Sequence, residues 1–200
     1  GSGDISLNDA GGVDITGISN TVGNVTLTNT GAISDSVGSI TTGLLTTTSA
    51  GGTVLDQAGN AVTSFNATNT ASGNIDLVNT AGTLTVTGVS QAGGGNVSIA
   101  NTGNLTTSTA PIATAVAGNI SLQATSGNLT VGNAVTAGGA GTVGLTTVTA
   151  GNIVVNGAVS STSGNITATS VGTITGTGAF GTTGLLTTSS VGGTTLTNAN

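Results

Sequence analysis

Apolar and polar residues alternate along this chain in short segments that begin with a glycine. In Gly118-Asn119-Ile120-Ser121-Leu122 the third and fifth residues are apolar and the fourth is polar. This period of two is typical of a β-strand with one buried face. Equivalent pentads recur along the chain at a spacing of about 22–23 residues, beginning at Gly73, Gly95, Gly118, Gly141 and Gly164.

Two further apolar segments follow each pentad. The first comes eight to ten residues after the pentad and begins with a glycine, at Gly82, Gly103, Gly127, Gly151 and Gly172. The second is shorter and contains Val89, Ile112, Val135 and Val159. A repeat of this length is typical of a solenoid, whose coils bury their apolar faces only against neighbouring coils. We therefore predict an all-β parallel β-helix (β-solenoid) with three short strands and about 22–23 residues per coil, and roughly 8–9 coils.

The regular spacing is weakest in residues 52–72, where we predict an irregular coil or a longer turn. A longer repeat lies over the short one: Thr41–Thr53 recurs as Thr182–Thr194, identical at eleven of thirteen positions, and residues 23–59 echo residues 164–200 at an offset of 141. Since six coils of about 23.5 residues make this offset, we predict a super-repeat of a whole number of coils. Residues 1–200 are expected to form one continuous solenoid segment of a longer repeat chain or filament.

Composition supports an ordered, nearly uncharged chain. The 200 residues include 36 Gly and six Asp, but no Lys, Arg, Glu, His, Cys, Met, Trp or Tyr, and the mean hydropathy is +0.37. Disordered chains combine low hydropathy with high charge, which is the opposite pattern. Without cations the chain has no electrostatic means of holding phosphate, so we expect no nucleic-acid partner. Its apolar runs are too short for a transmembrane helix, so we expect no membrane insertion.

The same composition removes most of the side chains that catalyse reactions. General acids, bases and nucleophiles are usually His, Cys, Lys, Glu or Tyr. Only a pair of Asp carboxylates, as in glycoside cleavage, remains available. Asp4 and Asp14 occupy positions that the coil predicts to be outward and solvated. We therefore expect no enzymatic activity and no cofactor.

Two sets of polar residues are candidates for a site. Asp4, Asp9 and Asp14 are candidate calcium ligands, because Ca²⁺ prefers carboxylate oxygens, although solvated surface carboxylates are the alternative. A larger set follows the pentad glycines and is expected to stack into an asparagine ladder that satisfies backbone groups at one corner of the coil: Asn24, Asn74, Asn96, Asn119 and Asn165.

Threonine pairs suggest a third possibility. Thr26 and Thr28, Thr85 and Thr87, and Thr173 and Thr175 are each two residues apart and therefore share one face of a strand. A flat array of such pairs is typical of ice-binding solenoids. Threonine is also a common solvent-facing strand residue. We expect the three pairs to lie on different strands of the coil, which disfavours ice binding.

The combination Gly-Asn-Ile-x-Leu followed by Gly-x-Leu-Thr-Val, at a period near 20–23, resembles the repeats of filamentous haemagglutinin-like proteins and other giant bacterial surface adhesins. The resemblance extends over nearly the whole chain and implies a right-handed parallel β-helix that is exported and displayed as a fibre. It favours a structural, non-catalytic segment of an extracellular or cell-surface bacterial filament, whose partner is another copy of itself. The alternatives are the stalk of an adhesin that mediates attachment or biofilm formation, with cell-surface or matrix glycans as partners, and an ice-binding solenoid.

Overall fold

The alternating pattern of the sequence becomes an alternation of buried and outward side chains along the strands. In Ile75–Asn79, for example, Ile75 and Leu77 are buried, whereas Asp76 between them is only partly covered. The computed structural model describes residues 3–198, and these residues contain 24 strands and no helix. They form a parallel β-solenoid of about nine coils with three strands per turn.

One side of the solenoid is a nine-stranded parallel sheet, to which each coil contributes one strand. The strands that carry the regular pentads belong to this sheet. In order they are β2 (Val13–Asp14), β5 (Ile33–Ser34), β7 (Thr53–Leu55), β9 (Ile75–Asn79), β11 (Val97–Asn101), β14 (Ile120–Ala124), β17 (Val143–Thr147), β20 (Ile166–Ser170) and β23 (Leu186–Ser190).

The other two sides belong to one fifteen-stranded sheet, because three long strands continue from one side to the next without a turn. The long strands are β6 (Ile40–Ser49), β8 (Ala61–Asn69) and β10 (Thr83–Gln91). The remaining strands are β1 (Ile5–Asp9), β3 (Ile18–Asn20), β4 (Val25–Asn29), β12 (Asn104–Thr107), β13 (Ile112–Thr114), β15 (Leu129–Val131), β16 (Val135–Ala137), β18 (Ile153–Val155), β19 (Val159–Ser161), β21 (Ile174–Gly176), β22 (Phe180–Gly181) and β24 (Thr194–Leu196).

The core consists of inward side chains stacked from coil to coil. One column of the nine-stranded sheet contains Leu55, Leu77, Ile99, Leu122 and Leu145, each at most 1% exposed. Every coil thus buries its apolar residues against the coils above and below it, which is the source of stability in a solenoid. Coil length is not constant, because Val25 pairs with Leu45 in one part of the chain whereas Leu105 pairs with Leu129 in another.

Glycines recur at one corner because successive coils approach closely there. A Cβ atom placed on Gly118 would lie 2.1 Å from the carbonyl oxygen of Gly95, and one on Gly141 would lie 2.2 Å from that of Gly118. Neither distance is compatible with a side chain. The repeated glycine of the pentad is therefore required at these positions by backbone stacking, whereas a positive φ occurs in this column only at Gly73 (φ 82).

Residues 52–72, for which the sequence predicts an irregular coil or longer turn, contain two regular strands. β7 and β8 are joined by the short segment 56–60, and β8 extends over nine residues with Phe65 fully buried in the core. The sequence misleads here because no glycine turn separates the two sides of the fifteen-stranded sheet in this coil.

The 141-residue echo does not correspond to a whole number of coils in the structure. Leu27 of β4 is followed six coils later, in its own column, by Val159 of β19. The sequence echo of β4, however, is the next strand, β20, which belongs to the nine-stranded sheet. The unit therefore comprises six coils and one additional strand, rather than the six coils predicted.

The same displacement holds for other parts of the echo. Ile33 lies in the nine-stranded sheet, whereas its counterpart Ile174 lies in the fifteen-stranded sheet. Thr41–Thr53 is mostly one long strand, β6, whereas its copy Thr182–Thr194 contains a turn and then β23. The final residues of the echo, 199 and 200, lie outside the described residues. Each copy of a sequence feature is thus turned to the next side of the solenoid.

Candidate functional site: corner ladders and hydroxyl rows

Four of the five predicted ladder asparagines lie at one corner, immediately before strands of the nine-stranded sheet. The side-chain Oδ1 of Asn74 accepts the main-chain N–H of Asn96 at 3.0 Å, and Oδ1 of Asn96 accepts that of Asn119 at 2.9 Å. Asn119 bonds to Thr142 in the same way, and Asn165 to Leu185. The rungs thus join a side chain to the backbone of the next coil, and Thr142 stands where an asparagine would continue the series.

The fifth predicted member, Asn24, lies in a different place. It precedes β4 in the fifteen-stranded sheet, and its main-chain N–H donates to Oδ1 of Asp4 at 2.8 Å. The cause is the displacement described above: the chain from Gly23 to Gly73 makes two coils and one additional strand. The glycine-asparagine pair therefore marks the start of a strand on more than one side of the solenoid.

A second ladder, absent from the sequence-based prediction, lies before strands of the fifteen-stranded sheet. Oδ1 of Asn104 accepts the N–H of Asn128 at 2.9 Å, and Asn128 and Asn152 continue the series to Thr173, each at 2.8 Å. The signal is present in the sequence, because each of these asparagines follows the glycine of a second strand. Both ladders satisfy backbone donors at exposed corners, where strands would otherwise leave them unpaired.

Buried amides form a third set, which sequence analysis missed. Asn79 and Asn101 end β9 and β11 two residues after a core residue, so the period of two turns them inward. Nδ2 of Asn79 donates to Oδ1 of Asn101 at 2.9 Å, and Asn69 donates likewise to Gln91 at 2.8 Å. Among residues 3–198, no buried side-chain nitrogen or oxygen lacks a hydrogen-bond partner.

The structure separates the three predicted calcium ligands. Asp4 bonds to the backbone of Asn24, and Asp9 bonds to Gly11 and to the amide of Asn29. Asp14 accepts hydrogen bonds from Ser34 and from the hydroxyl and N–H of Ser36, and the bond from the Ser36 hydroxyl is the main cause that lowers the pKa of Asp14. Across the described part of the chain, acidic residues form no group of three that could hold a metal ion.

Asp35 is a buried carboxylate in the core column of Leu55. Ile33, two residues before Asp35, faces inward. Because alternate residues of an extended chain share one face, Asp35 also faces inward and has no exposed surface. One oxygen accepts the N–H of Asp56 at 3.0 Å, and the other accepts Nδ2 of Asn60 at 2.7 Å. Burial nevertheless dominates and raises the pKa of Asp35. The spacing of two residues from Ile33 is the sequence signal that would have indicated an inward position for Asp35.

Hydroxyl rows cover the outer surface of the fifteen-stranded sheet. Thr26 and Thr28 of β4 pair with Thr46 and Thr48 of β6, and these pair with Asn66 and Thr68 of β8. A second row joins Thr85, Thr106, Thr130, Val154, Thr175 and Thr195. Thr26 and Thr28 thus lie in a different row from Thr85 and Thr175, on the other side of the same sheet, as expected for pairs on different strands of the coil. β6, β8 and β10 connect the two sides.

The described residues include no helix with the length and apolar character needed to cross a membrane. Comparisons of the chain with protein-family models, with curated proteins and with solved structures found no match.

Proposed function

We propose that this chain is a non-catalytic structural segment of an extracellular or cell-surface bacterial filament. The observation that carries the proposal is the parallel pairing of each coil with the next in both sheets, apart from one β-bulge in β10, with every buried polar side-chain atom of the described residues hydrogen-bonded. Such an arrangement gives length and stiffness, because each coil is held along its whole perimeter by its neighbours. Its partner is a further copy of the same chain, joined end to end or laterally.

The composition suits exposure outside a cell. The chain contains no Lys or Arg, so trypsin-like proteases have no cleavage site in it. The six carboxylates all lie between Asp4 and Asp76, so the outer surface of the later coils has no charged side chain. A neutral surface with outward hydroxyls is compatible with lateral packing between filaments.

Immunogold electron microscopy of producing cells tests this proposal. With antibody against residues 3–198, gold along extracellular filaments, together with an axial repeat of about 4.8 Å in oriented fibres, is the expected result. Gold on stalks that end in a distinct head would favour the adhesin-stalk alternative, in which the head binds cell-surface or matrix glycans. Gold confined to the cell interior would contradict both.

The hydroxyl rows favour ice binding as a second candidate function. Thr26, Thr28, Thr46 and Thr48 form a two-by-two array with a spacing of about 4.8 Å between coils and about 6.6 Å along a strand. Ordered water on such a regular array could match the surface of an ice crystal. Thermal hysteresis of the wild-type segment that disappears in T28A/T48A is expected if this is correct, and its absence from the wild type would eliminate the candidate.

A further inference from the structure

The regular solenoid is interrupted at one place, where several irregular features meet on the fifteen-stranded sheet. Val86 pairs with Phe65 and Gly88 pairs with Asn66, so Thr87 is an additional residue and forms a β-bulge. In the next coil, Thr109 is the single described non-glycine residue with a positive φ (69°). Bulges and backbone outliers concentrate at functional sites, and here they occur in adjacent coils.

The bulge and the backbone outlier are bonded to each other. The N–H of Ala110 lies 2.8 Å from the carbonyl oxygen of Ser108, closing a three-residue turn around Thr109, and 3.0 Å from the carbonyl oxygen of Thr87. Pro111, the single proline of the chain, follows, and its carbonyl oxygen accepts the N–H of Val89 at 3.0 Å. The turn thus carries Ala110 and Pro111 to the rim of a surface groove.

The groove has a volume of about 340 Å³ and extends over three coils. Asn66, Thr68 and Ser90 provide an amide and two hydroxyl groups on its wall, and the apolar rim is lined by Ala110, Pro111 and Ala113. Gly88 keeps the groove open, since a Cβ atom there would lie 2.9 Å from the Cβ of Ala110. This volume lies in the range of small-molecule sites, which combine apolar walls with a few polar groups.

We propose that this groove binds a neutral saccharide. No charged residue lines it, so a charged ligand would lose hydration without gaining an ionic partner. The hydroxyls of Thr68 and Ser90 bond to no other described residue and are free to exchange hydrogen bonds with sugar hydroxyls. The C–H surface of a sugar ring packs against Ala110, Pro111 and Ala113. The proposal is independent of the filament function.

Titration of the ¹⁵N-labelled protein with glucose, galactose, N-acetylglucosamine and their disaccharides tests the proposal by NMR. At least one of these sugars is expected to bind with a Kd of about 1 mM, because a small ligand in an open groove gains little from each atom. The shifts should centre on the Asn66 side-chain amide and on the amides of Ser90 and Ala113.

Three variants locate the site. A113L, which fills the groove from an outward strand position, should weaken binding at least tenfold, and T68V, which removes one hydroxyl without changing the shape, at least threefold. T48V is the matched control: Thr48 precedes Thr68 in the same column, one coil away and outside the groove. Its affinity should equal that of the wild type.

The proposal is overturned if none of these sugars shifts the groove residues at 100-fold excess, if T48V weakens binding as much as T68V, or if glucuronate binds more tightly than glucose. None of these results would affect the filament proposal, since the coils and their register are the same in all variants. Circular dichroism of each variant verifies that the fold is retained.

Discussion

Asn96 binds the next coil through its side chain: its Oδ1 accepts the main-chain N–H of Asn119 at 2.9 Å, and Asn119 repeats the bond to Thr142 at 2.8 Å. Both asparagines are exposed, yet their amides are fixed by the stacking of the coils. An asparagine at this corner therefore joins coils, in addition to its ability to adopt turn conformations.

Removing one rung should weaken the contact between two coils. We expect N96A to destabilise the solenoid by about 0.5–1.5 kcal/mol, the usual net contribution of one hydrogen bond. Amide hydrogen exchange should locate the effect, with faster exchange at Asn119 than in the wild type. The control is N156A, which removes an exposed asparagine whose side chain has no bond in the described structure. Equal effects of the two substitutions would contradict the ladder.

Stacking at the glycine corner gives a sharper prediction. A Cβ atom on Gly118 would lie 2.1 Å from the carbonyl oxygen of Gly95, so G118A requires two backbones to separate. We expect a loss of roughly 2–4 kcal/mol, comparable to other severe packing defects. Urea denaturation monitored by circular dichroism measures it.

Gly82 is the matched control for this substitution. It is exposed, its φ is not positive, and nothing lies within 4 Å of the Cβ that alanine would add. G82A should therefore be neutral or should stabilise the protein by up to about 1 kcal/mol, because alanine restricts the unfolded chain. A loss of stability as large as that of G118A would contradict the steric explanation.

The sequence was sufficient to predict the parallel solenoid, its three strands per coil and its core, because these depend on local alternation and on the spacing of glycines. It was also sufficient to predict the corner occupied by Asn74, Asn96 and Asn119. The placement of Asn24 could not be predicted, because the pentad looks the same on every side of the coil. Which side it occupies depends on the number of residues that each turn consumes.

Asp35 illustrates a second limit. The sequence shows that Asp35 lies two residues after Ile33 and therefore on the same face. Acidic residues are rarely buried without a partner, however, so an inward aspartate is not the first expectation. The partner is Asn60, which is distant in sequence and contacts Asp35 only because of the length of the intervening coil. Nothing local to residue 35 indicates that contact.

The carboxylates should give the protein an unusual pH dependence. Burial raises the pKa values of Asp35 and Asp76 above 3.8, so the folded state retains these protons where the unfolded chain has lost them. Stability should therefore fall as the pH rises from 3.8 through these raised pKa values. Asp14, whose pKa is lowered, has the opposite effect below 3.8. We expect the melting temperature to be highest at about pH 4 rather than near neutrality.

The variant D35N tests the contribution of the buried carboxylate. Asparagine does not ionise, so the decline in melting temperature as the pH rises above 3.8 should be smaller than in the wild type. D76N should also reduce it, because burial in β9 raises the pKa of Asp76 as well and Asp76 accepts no hydrogen bond from Asn60. A pH profile unchanged in both variants would show that neither group titrates differently in the folded and unfolded states.

The displacement of the 141-residue echo depends on the register of β6, β7, β8 and β9. Thr46 pairs with Asn66, and Val54 pairs with Asp76. If the chain from Gly23 to Gly73 instead formed two whole coils of equal length, Thr46 would lie beside Ala71. Because the chain has no cysteine, pairs of introduced cysteines report directly on this difference.

Pyrene attached to both cysteines of T46C/N66C should give strong excimer fluorescence, since the two strands are about 4.8 Å apart. V54C/D76C should behave in the same way, whereas T46C/A71C should give monomer emission only. The reverse pattern would restore a super-repeat of whole coils. If the expected pattern is found, a surface patch that occurs once per repeat lies on the next side of the solenoid in each successive copy. Three copies comprise nineteen coils and bring the patch back to the first side. A filament built in this way presents equivalent contacts in three directions, and therefore favours bundles over flat sheets.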